Sequence, residues 1–367
     1  MKPIETIGLM SGTSLDGVDA VAVRFEGDRM TVLGHSSIPY SERLRNELLA
    51  ISSPGENELE RAGVLSVELA RIYAAAVERL LSEHGLERER FAAIGVHGQT
   101  VRHRPELGFS VQLNAPAHLA EATGIDVVAD LRSRDLAAGG EGAPLVPAFH
   151  KALFTGGSAR VILNLGGIAN ISVLPARGAG GVVAGGDTGP ANMLMDIAAR
   201  RLFHVPYDRN GEIARRGRVD REWLSRALEE SYFARPIPKS TGRELFNEDW
   251  LERLGGLRAL EPHDLMRTLA ELTAVTASEA AKKAAPDARE LFVCGGGALN
   301  PVVMEALGEH FEGHVGTTDE LGLPPMLVEA CAFAWLAKAF LTREPGNLPS
   351  ATNARGPRVL GCLYPAH

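Results

Sequence analysis

Apolar and polar positions come in blocks along this chain, and the blocks alone predict its elements. Ile4 to Met10 is apolar, Ser11 to Asp16 is small and polar, and Val18 to Phe25 is apolar again with β-branched residues at Val18, Val21 and Val23. That succession predicts a β-hairpin. Met30 to Ile38 reads as a third strand, and Glu58 to His84 as one or two helices, because Leu65, Leu69, Ile72, Ala76 and Leu80 recur on one face. Phe91 to Val96 is a short buried strand ending in His97-Gly98-Gln99-Thr100, Ala115 to Thr123 a helix, and Asp126 to Ala129 a further strand. From Asp130 to Pro144 charge gives way to glycine, as in a crossover between domains, a substrate loop or a solvated linker.

Half a chain later the pattern restarts. Val161 to Leu174 reads as strand, Gly166-Gly167 turn and strand, and Gly181 to Ala184 as a third strand leading into Gly185-Gly186-Asp187-Thr188-Gly189-Pro190-Ala191-Asn192. Pro190 stands where a helix over Met193 to Leu202 can start. Arg209 to Glu248 is polar and predicts short helices with an exposed loop, and Asp264 to Ala285 has helical spacing. Glu290 to Cys294 is a strand running into Gly295-Gly296-Gly297-Ala298-Leu299-Asn300, and a helix follows from Pro301. Pro325 to Leu341 is a further helix that carries Glu329 among apolar neighbours, and Arg358 to Leu363 a strand that can return to the first sheet. Repetition on this scale predicts an α/β protein of two domains with related topology, facing each other.

Composition narrows the function classes. A hydrophobic fraction of 45% with 23% charged residues is that of a soluble globular protein, and 367 residues suffice for two domains. The formal charge of -8 argues against a nucleic-acid surface and for a small-molecule partner. No apolar run reaches the roughly 18 residues of a membrane helix, and Met1-Lys2-Pro3 leads straight into the first strand without a cleavable leader, so a cytoplasmic protein is expected. Cys294, Cys331 and Cys362 lack the spacing of a zinc site or a disulfide framework.

The chemistry gathers where strands turn. Gly12 and Gly17 let backbone approach a ligand closely, Ser11, Thr13 and Ser14 offer hydroxyls to phosphate oxygens, and Asp16 and Asp19 make sense beside an anion only with a cation between. Magnesium, held by Asp16 through water, suits that place. With Gly166-Gly167 and the Gly295 to Gly297 run, three glycine-bearing strand ends match a nucleotide site, although neither the GxGxxG nor the GxxxxGK[ST] fingerprint occurs. Asp187 can be a general base or a helix N-cap. His97 and Gln99 are candidate substrate contacts, with a satisfied core histidine as the plain alternative for the former. Glu329 within an apolar helix implies a polar cleft, and Arg132 and Arg134, two residues apart, share a face if extended and can hold a carboxylate.

Met10 to Asp19 (MSGTSLDGVD), Val96 to Thr100 (VHGQT), Asn164 to Ile171 (NLGGIANI), Asp187 to Asn192 (DTGPAN) and Gly142 to His150 resemble the anhydro-N-acetylmuramic acid kinase family, and the likeness runs from Ile7 to Pro365. It implies the two-domain actin-like ATPase (ribonuclease H-like) fold, duplicated mixed sheets flanked by helices with an interdomain ATP cleft. The expected domains are 1–131 plus 344–367, and 132–343. It further implies that water opens the anhydro bridge of 1,6-anhydro-N-acetylmuramic acid while the freed O6 takes the γ-phosphoryl of ATP, with magnesium as cofactor and a homodimer as the assembly. In such a family Asp187 is the catalytic base, and Gly12-Thr13-Ser14-Leu15-Asp16-Gly17-Val18-Asp19 is the phosphate segment; Gly166, Gly167, Gly295, Gly296, Gly297 and Asn300 complete the nucleotide contacts. A slow ATPase module of the same fold, and a kinase for an ordinary hexose or acylated aminosugar, are the alternatives. The chain departs from the family at Glu141, where glutamine is usual and where added negative charge can weaken binding of the sugar's lactyl carboxylate. It departs also at Gly186, usually bulkier, and at Ala191, usually glycine.

Overall fold

The computed structural model describes residues 2–12, 15–27 and 29–367. Thirteen strands occur among them: β1 (Ile4–Met10), β2 (Gly17–Glu26), β3 (Arg29–Pro39), β4 (Phe91–Val96), β5 (Gln99–Arg104), β6 (Phe109–Leu113), β7 (Val127–Ala129), β8 (Arg160–Leu165), β9 (Ile168–Leu174), β10 (Ala184–Pro190), β11 (Glu290–Cys294), β12 (His314–Thr317) and β13 (Cys362–Tyr364). The chain divides into two compact units, Met1–Leu153 with Leu327–His367, and Phe154–Met326.

In the first unit the sheet order is β13-β7-β4-β1-β2-β3. β1, β2 and β3 form an antiparallel meander, β4 and β7 add in parallel beside β1, and β13 returns antiparallel to β7. The second unit repeats the plan as β10-β9-β8-β11-β12, a meander followed by two parallel strands. This duplicated order agrees with the duplicated mixed sheets expected above. The predicted repeat is therefore the architecture itself.

The unit boundaries differ from those expected. The Asp130 to Pro144 stretch is no crossover, since it lies inside the first unit and contains a helix, Ser133–Ala137. The helix Val328–Leu341, expected in the second domain, belongs to the first because it lies on β1 and β4. Thr6 Oγ1 donates to the Ala334 carbonyl at 2.8 Å. Gly8 and Gly95 pair in register, and a Cβ on either would overlap the helix backbone at Ala330 or Phe333. Two adjacent glycines thus open the groove in which an alanine-rich helix sits.

Other elements follow the apolar periodicity. Glu58–His84 is one helix, with Leu65, Leu69, Ala76 and Leu80 buried. The second unit is centred on Pro262–Ala284, whose Thr273 hydroxyl donates to the Pro190 carbonyl at 3.1 Å. Among the elements not foreseen are the helices Glu42–Ile51, capped by Ser41, and Val146–Phe154, the strand β12, and the hairpin strands β5 and β6, whose polar sequence hides their pairing. No helix among the described residues is long and apolar enough to cross a membrane.

Candidate active site

The turn after β1 rests on buried polar groups. The Ser11 hydroxyl lies 2.8 Å from that of Tyr73 and donates to the Gly98 carbonyl at 3.1 Å. Gln99 is buried; its amide nitrogen donates to the Gly12 carbonyl at 3.2 Å, and its Oε1 accepts nothing from the described residues. Leu15 stands at φ 59 and donates its N–H to the Gly12 carbonyl at 3.2 Å. Thr13 and Ser14 lie outside the described residues. Asp16 is exposed, 3.8 Å from Arg45, while Gly17 and Val18 already pair with Pro39 and Ile38 in the sheet. Burial raises the pKa of Asp19 against the hydrogen bond from Ser37.

His97 and Arg132 meet beneath this turn. Arg132 Nη2 donates to His97 Nε2 at 2.8 Å and Nη1 to the Gly142 carbonyl at 2.6 Å. His97 Nδ1 therefore carries the ring proton and donates it to the Ser11 carbonyl at 3.2 Å. Burial, then the Arg132 charge, lowers the His97 pKa to about 3, so the ring is neutral at any physiological pH. Burial also lowers Arg132 to about 10, against the charges of Asp135 and Glu329. Asp135, fully buried, accepts from Gly142 N, Asn347 and Thr352 and so holds the glycine loop to the C-terminal segment. The face that Arg132 and Arg134 would share if extended is not formed. Arg132 caps a helix rather than lying extended, and Arg134 is exposed on its first turn, about 200° away at 100° per residue.

In the second unit the Gly166 and Gly167 carbonyls accept N–H groups of Asn192 and Ala191 at 3.0 Å each, so this turn abuts a helix start. Gly295 has φ 79, and a Cβ on it would overlap the Asn164 side chain; Gly296 has open space around it, and Gly297 is packed on Leu165. Asn300 Oδ1 caps the helix Pro301–His310 through Val302 N at 3.1 Å and Val303 N at 3.4 Å, so that oxygen is taken.

Asp187 lies within β10 rather than between a strand and a helix, and Pro190 ends that strand instead of opening the helix, which runs Asn192–Phe203. The N-cap alternative is thereby removed. The register slips between Asp187 and Gly189, with Gly189 at φ 155, a value that glycine tolerates. Asp187 Oδ2 accepts the Thr241 N–H at 2.9 Å, and its other oxygen accepts no hydrogen bond from the described residues. Burial raises its pKa to about 6, opposed by the Thr241 N–H, with the Glu244 charge raising it and the Lys239 charge lowering it further. A half-held carboxylate near neutrality can take a proton at its open oxygen.

A family model described as anhydro-N-acetylmuramic acid kinase matches residues 4–366. The chain belongs to the anhydro-N-acetylmuramic acid kinase family. Among its relatives, the anhydro-N-acetylmuramic acid kinase of Bordetella pertussis is 53% identical over 367 residues, covering 98% of this chain and 96% of the relative. That of Burkholderia cenocepacia is 51% identical over 366 residues, covering 98% and 95%. Among solved structures, the activator of the 2-hydroxyisocaproyl-CoA dehydratase from Clostridium difficile with bound ADPNP is similar at 15% identity and a TM-score of 0.48, covering 93% of this chain and 97% of that one.

In this family member the neighbours of Asp187 are what sequence reading missed. Lys239, Thr241 and Tyr232 fall in the polar stretch expected to mix short helices with an exposed loop; Tyr232 lies in the short helix Ser231–Ala234, and both it and Lys239 are buried. The signal available was Pro236-Ile237-Pro238-Lys239, a stiff segment with an apolar residue inside a charged one.

Proposed function

We propose that this chain phosphorylates 1,6-anhydro-N-acetylmuramic acid with ATP and that Asp187 is the base of the reaction. The observation carrying this reading is the Asp187 carboxyl itself, one oxygen fixed by a backbone N–H, the other open, and its pKa raised to about 6 by burial. Its open oxygen takes a proton from water as that water's oxygen bonds to the anomeric carbon. The bond from that carbon to O6 breaks, and O6 accepts the γ-phosphoryl group as ADP leaves. Because phosphorus captures the departing oxygen, no second carboxyl is needed as an acid, unlike the pair in glycosidases.

The turn after β1 is the phosphate support in this reading, with Ser11 and Gly12 tied to Tyr73, His97 and Gln99, and the Gly295 to Gly297 loop supports the nucleotide. ATP supplies the phosphoryl group. No cluster of three or more His, Cys, Asp or Glu side chains occurs among the described residues, and Asp16 is exposed. That donor set fits magnesium held mostly by phosphates and water, with Asp16 as an outer partner. The test is turnover of Asp187→Asn in ¹⁸O-water: bridge opening and phosphorylation both stop while ATP still binds. Substantial turnover, or wild-type product lacking label at the anomeric carbon, refutes the reading.

A further inference from the structure

We propose that Lys239, together with Tyr232, is a positioning residue that presents the Asp187 carboxylate by pinning the segment Ile237 to Thr241 onto β10. The proposal rests on the reading of Asp187 as the base. Lys239 has 9% of its surface exposed. Its ammonium donates to the carbonyls of Tyr232 at 2.9 Å and Phe233 at 3.3 Å and lies 4.3 Å from the centre of the Tyr232 ring. Its own carbonyl accepts the Asp187 N–H at 2.9 Å. Two residues on, the Thr241 N–H holds Asp187 Oδ2 at 2.9 Å. From the other side the Tyr232 hydroxyl donates to the Asp187 carbonyl at 2.9 Å.

The base is thus gripped above and below by one short segment whose ends are tied together through the lysine. Gly186 permits the approach: a Cβ there would stand 3.0 Å from both Lys239 N and O. Behind the segment, Tyr232, Phe233, Phe246 and Trp250 form an aromatic platform with ring centroids 5.4 to 6.2 Å apart. An ammonium placed here for stability alone is a poor choice, because burial and the nearby charges of Lys283 and Arg235 all disfavour it. Among the charged neighbours only Asp187 favours its charge, beside the two carbonyls and the Tyr232 ring that the ammonium contacts. The charges and titratable groups that bear on Asp187 are Lys239 and Glu244, with Tyr232 next to both.

The experiment is steady-state kinetics of Lys239→Met, Lys239→Arg and Tyr232→Phe across pH, with the folded fraction of each measured by circular dichroism. For Lys239→Met, kcat falls on the order of tenfold to a hundredfold while KM for ATP stays within about twofold, as misplacement of one group predicts. Loss of the ammonium charge also moves the acid limb of kcat/KM up by about half a pH unit. Lys239→Arg restores the limb, and Tyr232→Phe lowers kcat about threefold to tenfold. A folded Lys239→Met enzyme with its acid limb unmoved, and kcat reduced only in step with its folded fraction, overturns the proposal. If that variant does not fold, Tyr232→Phe decides, and wild-type kcat there overturns it. Asp187→Asn separates the two claims: an active Asp187→Asn enzyme removes the base itself, whereas an inactive one beside an unaffected Lys239→Met removes only the positioning role.

Discussion

The two units share one strand plan and furnish it with different side chains. At the turn after β1, the described hydroxyl, imidazole and guanidinium groups bond chiefly to one another or to backbone, from Tyr73 through Ser11 and His97 to Arg132 and Gly142. At the corresponding meander of the second unit, β10 carries a carboxylate with an open oxygen. The pKa shifts record the contrast: burial drives His97 down to about 3, away from neutrality, and Asp187 up to about 6, toward it. With Asp187 as the proposed base, a duplicated scaffold would separate holding from reacting. The third strands differ in length, 11 residues in β3 and 7 in β10, and each pairing carries a register shift, which in β10 falls at Asp187 itself.

The comparison breaks most sharply at Asp187. Asp187→Asn is expected to lower kcat by about 10³-fold or more, at the upper range for loss of a general base, with ATP affinity unchanged by equilibrium titration. Next in size is Arg132→Leu. It strands His97 Nε2 and the Gly142 carbonyl, so stability falls by about 2 to 3 kcal/mol by urea unfolding, and KM for ATP rises about tenfold because the Ser11 turn loosens. A rise in sugar KM with ATP KM unchanged would instead make Arg132 a direct sugar contact and end the closed-network view.

What was legible in the sequence follows from the range of the interactions. Ile4 to Phe25 and Val161 to Leu174 showed their hairpins because strand periodicity and turn glycines are local signals. The grip on Asp187 was not visible. Thr241 lies 54 positions away, and its contribution is a main-chain N–H that leaves no mark on residue type. Arg132 and Arg134 were misjudged for a related reason: an alternating pair implies a shared face only in a strand, and the Asp135 network winds this stretch into a helix. The helix Val328–Leu341 was recognised, but its unit was not, because Gly8 and Gly95 reveal their role only once β1 and β4 lie side by side.

Titration separates the two units more finely. The limb of kcat/KM set by Asp187 should fall about tenfold per pH unit below about pH 6, since the base must be ionised. His97 should show no ring chemical-shift change between about pH 5 and 8 by NMR, because its pKa of about 3 lies outside that window. Stability carries the same sign information. The folded-state pKa of Asp187 stands above its ordinary 3.8, so the folded chain binds this proton more tightly than the unfolded one. That contribution is complete below about pH 4 and is lost as pH rises through about 6. Asp187→Asn should therefore be more stable than the parent by about 1 to 2 kcal/mol at pH 7.5, a Tm higher by roughly 2 to 8 °C, and show no gain at pH 4. Equal melting temperatures at pH 7.5 would mean that the carboxylate is solvated in the folded chain.

The smallest effect is expected at Glu141, the charged residue at which the resemblance led us to expect glutamine. Its Oε1 accepts the Asn353 side-chain N–H at 2.8 Å, and its backbone N–H donates to the Thr352 carbonyl at 2.7 Å. Both bonds use features that glutamine retains, an acceptor oxygen and an unchanged main chain, so Glu141→Gln preserves the loop that Asp135 and Arg132 also hold. The carboxylate is partly exposed, where solvent screens its field on an anionic sugar. The sugar KM should then fall by no more than about twofold, with kcat and ATP KM unchanged. A tenfold fall would correspond to about 1.4 kcal/mol of removed repulsion and would place the sugar's carboxylate close to Glu141. The first unit would then bind sugar as well as nucleotide, and the division of labour would run through that unit rather than between the two.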